Sequence, residues 1–425
     1  MVPFIEFISR RWKWVFFGLM HKACSREHVL YLLYLTLFLI PLNPFLFYAP
    51  LIPALILWLV NWRTSKEVSF RVPPYWGAGA VFLACSLLST AVSKDSFFSI
   101  FNWLLQPLLY AAVYLMVFST IRTVREKEKA LYAFLAGALC VAAYGFFQYA
   151  DAHDMAKDLT AQSWVDPERF PLLRRRMYST LENPNLLGAY LLMIISALSS
   201  FFLYEKKGRR KYIFGIVLLV LLTCLALTYS RGAWVAAGGI VAGLAIFHDK
   251  RFGLLFLLVP IGLLFYHGQI AERFLSLFRG DDTSVDLRFA LWESTRAMIE
   301  EHPLLGIGWG SYFLAYPDYN FFIQNDNVLI FHAHNMYLNM LAEIGIPGGL
   351  AFLAAFFAQG IIAYRIFKGG ETAFDRAMGL GGMLAVILIA IISFGDHVLF
   401  SRSVSFCFWS LAGLWASCIS HANEK

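Results

Sequence analysis

The chain is dominated by uninterrupted apolar runs of about 20 residues, the length a helix needs to cross a ~30 Å hydrocarbon core. Such runs lie near 74–92, 97–118, 129–150, 186–204, 211–228, 231–248, 252–267, 348–364, 375–394 and 402–419. His28 to Trp62 as one helix would be about 52 Å long. Pro41, Asn43 and Pro44 supply a turn there, so this stretch reads as two spans, 28–42 and 44–60. The expectation is an all-α polytopic membrane protein with about twelve transmembrane helices. The runs do not alternate apolar with polar, which excludes a porin-like barrel. Apolar residues are 59% of the 425 and charged residues 15%, against roughly 25% charged for a soluble domain.

The net charge is +7. In a soluble chain that would hint at nucleic acid, but sidedness explains it better and no nucleic-acid partner is expected. Arg10, Arg11, Lys13, Lys22, Arg26, Arg63, Lys66, Arg71, Arg122, Arg125, Lys206, Arg209, Arg365 and Arg376 are among the cations that fall on one side of the spans. The short loops on the other side hold only Lys94, Arg231 and Arg402. The positive-inside rule then puts both termini in the cytoplasm and the long loops 151–185 and 268–347 outside. The organisation expected is a cytoplasmic interfacial segment 1–27, helices 1–9 over 28–267, a large outer loop 268–347 and helices 10–12 with a short tail over 348–425. Phe4, Trp12 and Trp14 beside cations suit the inner membrane surface, and no cleavage site marks a signal peptide.

Six cysteines, Cys24, Cys85, Cys140, Cys224, Cys407 and Cys418, show no CxxC or Cys/His spacing, so neither a disulfide framework nor a zinc site is expected. There is no GxxxxGK[ST] loop for ATP and no DxD for a metal–nucleotide site. No cofactor is expected. The outer segments carry the chemistry instead. Arg231 lies in a tight turn between two spans, where a cation is costly unless it meets an anion or lines a wet cavity; the alternative is an arginine snorkelling to lipid phosphates. His334 precedes a helical pattern through Leu338 and Leu341 that Gly345 and Pro347 end. A histidine in the first helical turn feels the positive end of the dipole and stays neutral, as a general base must. A capping or core histidine is the competing reading. His302 and His332 are secondary candidates. Two of these histidines with an acid could bind a metal, but no HExxH-like spacing supports it, and no metal ligands are assigned. Gly306 to Gly310 reads as a tight turn rather than a phosphate cradle, and Asp281, Asp282 and Asp286 as a solvated face. Arginines bind phosphate bidentately, and aromatic rings stack on sugars. Transfer of a sugar from a lipid pyrophosphate, a donor already activated by its leaving group, fits this content.

At these residues the sequence resembles the O-antigen ligase family of bacterial inner-membrane enzymes. The matching pieces are Arg176 through Asn185, Ser230-Arg231-Gly232-Ala233-Trp234, Arg288 with Trp292, His302 through Tyr312, and His334-Asn335 with Leu338, Glu343 and Gly345. O-antigen polymerases and protein O-oligosaccharyltransferases share a similar core, and an inner-membrane transporter is the non-enzyme alternative. The short tail after the last span favours the ligase. The resemblance implies a GT-C-like fold in the Gram-negative inner membrane, with a mostly helical periplasmic loop region and a periplasmic active site. It implies undecaprenyl-pyrophosphate-linked O-antigen as donor, a sugar hydroxyl of lipid A–core as acceptor, and surrounding membrane lipids. His334 is expected to be the base of a metal-independent inverting transfer. Arg231 and Arg288 would bind the pyrophosphate with help from Arg175 or Arg176. Asn185, Tyr229, His302, His332, Asn335 and Tyr337 are further substrate-binding candidates.

Overall fold

The computed structural model describes residues 25–64, 71–151, 176–181, 183–257, 275, 283–321 and 329–419. Segment 1–24, Arg175, Asp281, Asp282 and most of the apolar run 252–267 lie outside them. All regular structure among the described residues is helical. The main helices are α1 (Arg26–Leu39), α2 (Tyr48–Thr64), α3 (Trp76–Ser89), α4 (Ser96–Leu105), α5 (Pro107–Thr120), α6 (Val124–Ala150) and α7 (Pro184–Tyr204). They continue with α8 (Arg209–Leu227), α9 (Arg231–Phe247), α10 (Thr283–Glu301), α11 (Met336–Gly369), α12 (Ala373–Ile392) and α13 (Arg402–Ile419). Among the described residues, six helical segments are long and apolar enough to cross a membrane, α4–α5 counting as one, and shorter apolar helices include Trp76–Val92 and Arg231–Phe247.

Three of the apolar runs differ in detail from their sequence reading, and the described part of one, 252–267, is 3-10 helix over Lys250–Leu257. The run 97–118 is two helices broken at Gln106, because Pro107 has no N–H to donate and disfavours helical backbone in the residue before it. The run 348–364 is the second half of α11, which starts at Met336 and passes through Gly345. Pro41 to Pro44 does form the turn between α1 and α2, where the Asn43 carboxamide oxygen accepts from the N–H groups of Phe45 and Leu46.

The bundle is organised around α12, which packs against α7, α9 and α11. Small residues allow the close approach: a Cβ added to Gly381 would come within 2.9 Å of Ala197 Cα on α7, and one added to Gly243 would meet Leu384 of α12 at 2.3 Å. Within lipid there is little hydrophobic drive between helices, so this backbone proximity and its dispersion contacts are what hold them. Capping boxes start α6, from Thr123 and Glu126, and α12, from Thr372 and Asp375, satisfying backbone donors that would otherwise be orphaned.

A second, smaller core sits beyond the spans. Leu291 and Met298 of α10 pack with Ile307, Tyr312, Tyr316, Ile330 and Ala333. This cluster holds the segment before α11 in place. It is tied to the bundle where the chain 304–310 wraps the break in α11: the Ile307 and Gly308 N–H groups donate to the Ala342 and Glu343 carbonyls, and the Gly310 N–H donates to the Glu343 carboxylate. Gly306–Gly310 is thus a tight turn against a helix end. Gly345 has φ 72, and an added Cβ would lie 2.2 Å from the Leu304 carbonyl oxygen. Gly345→Ala should therefore cost at least ~2 kcal/mol through left-handed strain and the clash with backbone. Gly77→Ala, with nothing within 4 Å of the new Cβ, should leave stability equal or slightly higher. Thermal unfolding of the two purified variants checks the contrast.

Candidate functional site

Three capped helix starts and one turn converge at the end of the bundle that carries the small core. Asn183 caps α7 by accepting from the Asn185 and Leu186 N–H groups, with Pro184 in the first helical position. That sets Asn185 in the first turn. Ser230 caps α9 by accepting from the Ala233 N–H, and its hydroxyl donates to Asn185 Oδ1 at 2.8 Å. Arg231 is consequently the first helical residue of α9, at the mouth of the site and half-buried.

Asn335 caps α11 by accepting from the Leu338 N–H, and its carboxamide donates to the Phe394 carbonyl at 3.2 Å. Met336 N–H donates to the Ser393 carbonyl at 3.0 Å, and the Trp292 indole donates to the Ala333 carbonyl at 3.1 Å. His334 is therefore pinned from both sides. It stands before the cap with φ 46, which corrects the expectation that it lies in the first helical turn. The helix dipole is not its main partner; a carboxylate is.

That carboxylate is Asp396, in the turn after α12. His334 Nδ1 lies 3.1 Å from Asp396 Oδ1. An ionised carboxylate only accepts, so the proton sits on His334 Nδ1 and Nε2 is the basic nitrogen. Asp396 Oδ1 also accepts from the His397 N–H at 2.8 Å, and Oδ2 accepts from the Asn185 carboxamide at 2.9 Å. Burial by itself would raise the Asp396 carboxyl. The charge and hydrogen bond of His334, with the charges of His332 and Arg288, outweigh burial and hold it well below the ordinary carboxylate range. The one sequence sign of this residue is an acid directly after an apolar span on the side where charge is otherwise rare.

Arg288, from α10, also acts electrostatically on Arg231. The pair of guanidiniums, Asp396 and His334 thus form one connected electrostatic group. Arg176 braces it: its Nε donates to the Thr228 carbonyl at 2.9 Å and its Nη2 to Asn185 Oδ1 at 3.1 Å. Tyr229 is buried at φ 50, with its hydroxyl 3.3 Å from that of Tyr149. Tyr337 turns away to donate to the Ala390 carbonyl at 2.9 Å, and Asn335 is committed to its cap. His302 is exposed at the end of α10, where its carbonyl accepts from the Gly306 N–H; no described contact joins it to His334.

His332 lies beside His334, the ring centroids 4.3 Å apart, and its Nδ1 accepts the His334 backbone N–H at 3.1 Å. Donor atoms of His332, His334 and Asp396 all lie within 4.8 Å of one another, a set that can hold a metal ion. A cation there would have to displace the hydrogen bonds just described and sit in the positive field of Arg288. Burial, then the charge of His334, keeps His332 well below the usual imidazole value. Burial pushes His397 down to about 3 against the pull of Asp396. For these depressed histidines the unfolded chain takes up protons below pH 6.5 that the folded chain refuses, so stability falls as pH drops from about 6.5 toward 3. His397→Gln, which cannot take that proton, should flatten the slope; melting temperatures recorded across this range check it.

Residues 216–353 match the family model described as O-antigen ligase. The match takes in Arg231, Arg288 and His334, while Arg176, Asn185 and Asp396 lie beyond it. A comparison with curated proteins gave no match. Residues 216–353, the stretch that supplies both guanidiniums and the histidine of this site, are thus similar to the O-antigen ligase family.

Proposed function

We propose that the protein is an O-antigen ligase that transfers O-antigen from undecaprenyl pyrophosphate to a sugar hydroxyl of lipid A–core. The coarser reading, a membrane enzyme of O-antigen processing, follows from the family match and the membrane-length helices. The observation that carries the finer one is the meeting of a carboxylate-oriented histidine with two neighbouring guanidiniums at one end of the bundle. Two guanidiniums within electrostatic reach of one another can bridge one anion between them. A pyrophosphate, doubly recognised by planar forks, is the anion they suit.

In this reading the acceptor hydroxyl attacks the anomeric carbon while His334 Nε2 takes its proton. The new glycosidic C–O bond forms as the bond from the anomeric carbon to the pyrophosphate oxygen breaks. Undecaprenyl pyrophosphate leaves with the bonding electron pair, its charge met by Arg231 and Arg288. With one base and no covalent intermediate, the anomeric centre inverts. Asp396 acts as a positioning residue: it fixes the tautomer and favours the imidazolium that forms. The permanent charges of Arg231 and Arg288 take the place a metal holds in other sugar transfers. The cation-rich loops at the opposite end support a cytoplasmic location for them and a periplasmic location for the site, in the inner membrane of a Gram-negative cell.

The test is reconstitution of purified protein with lipid-linked O-antigen and lipid A–core, without added nucleotide or metal, and analysis of the glycolipid on a gel. Wild type should give an O-antigen ladder on lipid A–core. His334→Ala should slow transfer by at least ~10²-fold, and Asp396→Asn should impair it similarly by presenting the wrong tautomer. Arg231→Lys keeps the charge but loses the fork and should be strongly reduced. Full activity of His334→Ala at normal abundance would overturn the assignment of the base. Longer glycan on the lipid carrier with none on lipid A–core would replace the ligase by a polymerase.

A further inference from the structure

Away from the His334 end, α3, α5, α11 and α13 line a crevice that opens to the outside of the bundle. Arg365 at its mouth lies 20 residues beyond the Gly345 break in α11, some 30 Å along the helix at ~1.5 Å per residue, so this is a separate place on the molecule. The walls are aromatic: Trp76, Phe82, Tyr110, Tyr114 and Trp409 line it. Trp76 stacks on Tyr114 with ring centroids 6.1 Å apart and an interplanar angle of 12°, and Trp409 meets Tyr114 edge-on at 6.3 Å. The rings thus form a slot rather than a collapsed cluster.

Inside this apolar slot sit two buried polar atoms. Tyr114 is 3% exposed and Gln359 6% exposed; their side chains interact with one another, but neither the Tyr114 hydroxyl nor Gln359 Oε1 makes a hydrogen bond of ordinary geometry. Both residues line the crevice. At the mouth, the exposed Arg365 guanidinium lies over the Tyr75 ring at 5.2 Å. Tyr75 itself is in the left-handed region at φ 62, a strained backbone that places its ring under the cation. Lys368 stands one turn further along.

We infer that this crevice is a binding site for an anionic phospholipid of the surrounding bilayer, separate from the transfer site. One acyl chain lies between the aromatic walls. An ester carbonyl accepts from the Tyr114 hydroxyl, a water bridges the ester region to Gln359 Oε1, and the phosphate pairs with Arg365. The mouth lies among the cation-rich loops, which is the side where anionic headgroups concentrate around basic residues. The occupant is therefore a charged lipid rather than a zwitterionic one.

Native mass spectrometry of the detergent-purified protein tests this, with dioleoyl phosphatidylglycerol, dioleoyl phosphatidylcholine and a polyprenyl phosphate titrated separately. The expected result is one phosphatidylglycerol bound at least tenfold more tightly than phosphatidylcholine. Gly79→Leu should abolish that adduct by filling the slot, since an added Cβ there meets only the Trp76 ring, at 3.6 Å. Arg365→Gln, at an exposed position, should remove the preference for phosphatidylglycerol without lowering the melting temperature. Unchanged phosphatidylglycerol binding in both variants would overturn the site. A polyprenyl phosphate that binds in place of phosphatidylglycerol and is lost in Gly79→Leu would overturn the choice of occupant.

Discussion

A buried carboxylate at the end of a hydrophobic bundle survives only where cations and donors surround it, and Asp396 is such a group. His334, the His397 N–H and the Asn185 carboxamide all donate to it, and Arg288 adds its charge. Each donor comes from a different part of the chain, so satisfying this one carboxylate draws together the starts of α7 and α11, the turn after α12 and, through electrostatics, α10. A fifth element, α9, joins through Ser230 on Asn185. Removing the desolvated charge from this network would leave its donors without a common acceptor, which is costlier than leaving them in water.

The same group explains why positive charge accumulates where a membrane protein usually avoids it. Arg231 and Arg288 repel one another, yet Asp396 supplies only one negative charge, already shared with the histidine. In the proposed transfer both charges would meet the pyrophosphate of the leaving group. Arg176 serves the site indirectly, since the two N–H groups described hold the Thr228 carbonyl and Asn185 in place.

The two ends of the bundle are built differently. At one, short caps and turns bring polar side chains together above a small outer core. At the other, capping boxes, ion pairs such as Arg26–Glu126 and Arg210–Glu128, and rings beneath basic residues anchor the helices. The glycines in the middle let backbones approach closely enough to keep the two ends in register, and the break at Gly345 lets α11 serve both, first as the short helix behind His334 and then as a long apolar one.

Much of this was legible in residue order. Continuous apolar runs dictate helices because a backbone in lipid must satisfy its own hydrogen bonds. Cation asymmetry suggests a sidedness, Pro41 to Pro44 marks a turn, and the Asn-Pro-Asn and Ser-Arg-Gly pieces carry the family resemblance. Arg231, Arg288 and His334 stand out as polar residues beside apolar ones. Only the tertiary structure decided which of them meet. Asp396 was invisible as the partner of His334 because 62 residues separate them and no local spacing encodes a contact made across helices. The roles of Asn335 and Tyr337 changed for the same reason: a cap and a hydrogen bond to another helix's carbonyl depend on where the chain returns. Local sequence sets what each segment forms, through propensity, capping and hydropathy; the close packing of α12 against its neighbours sets which segments share a site.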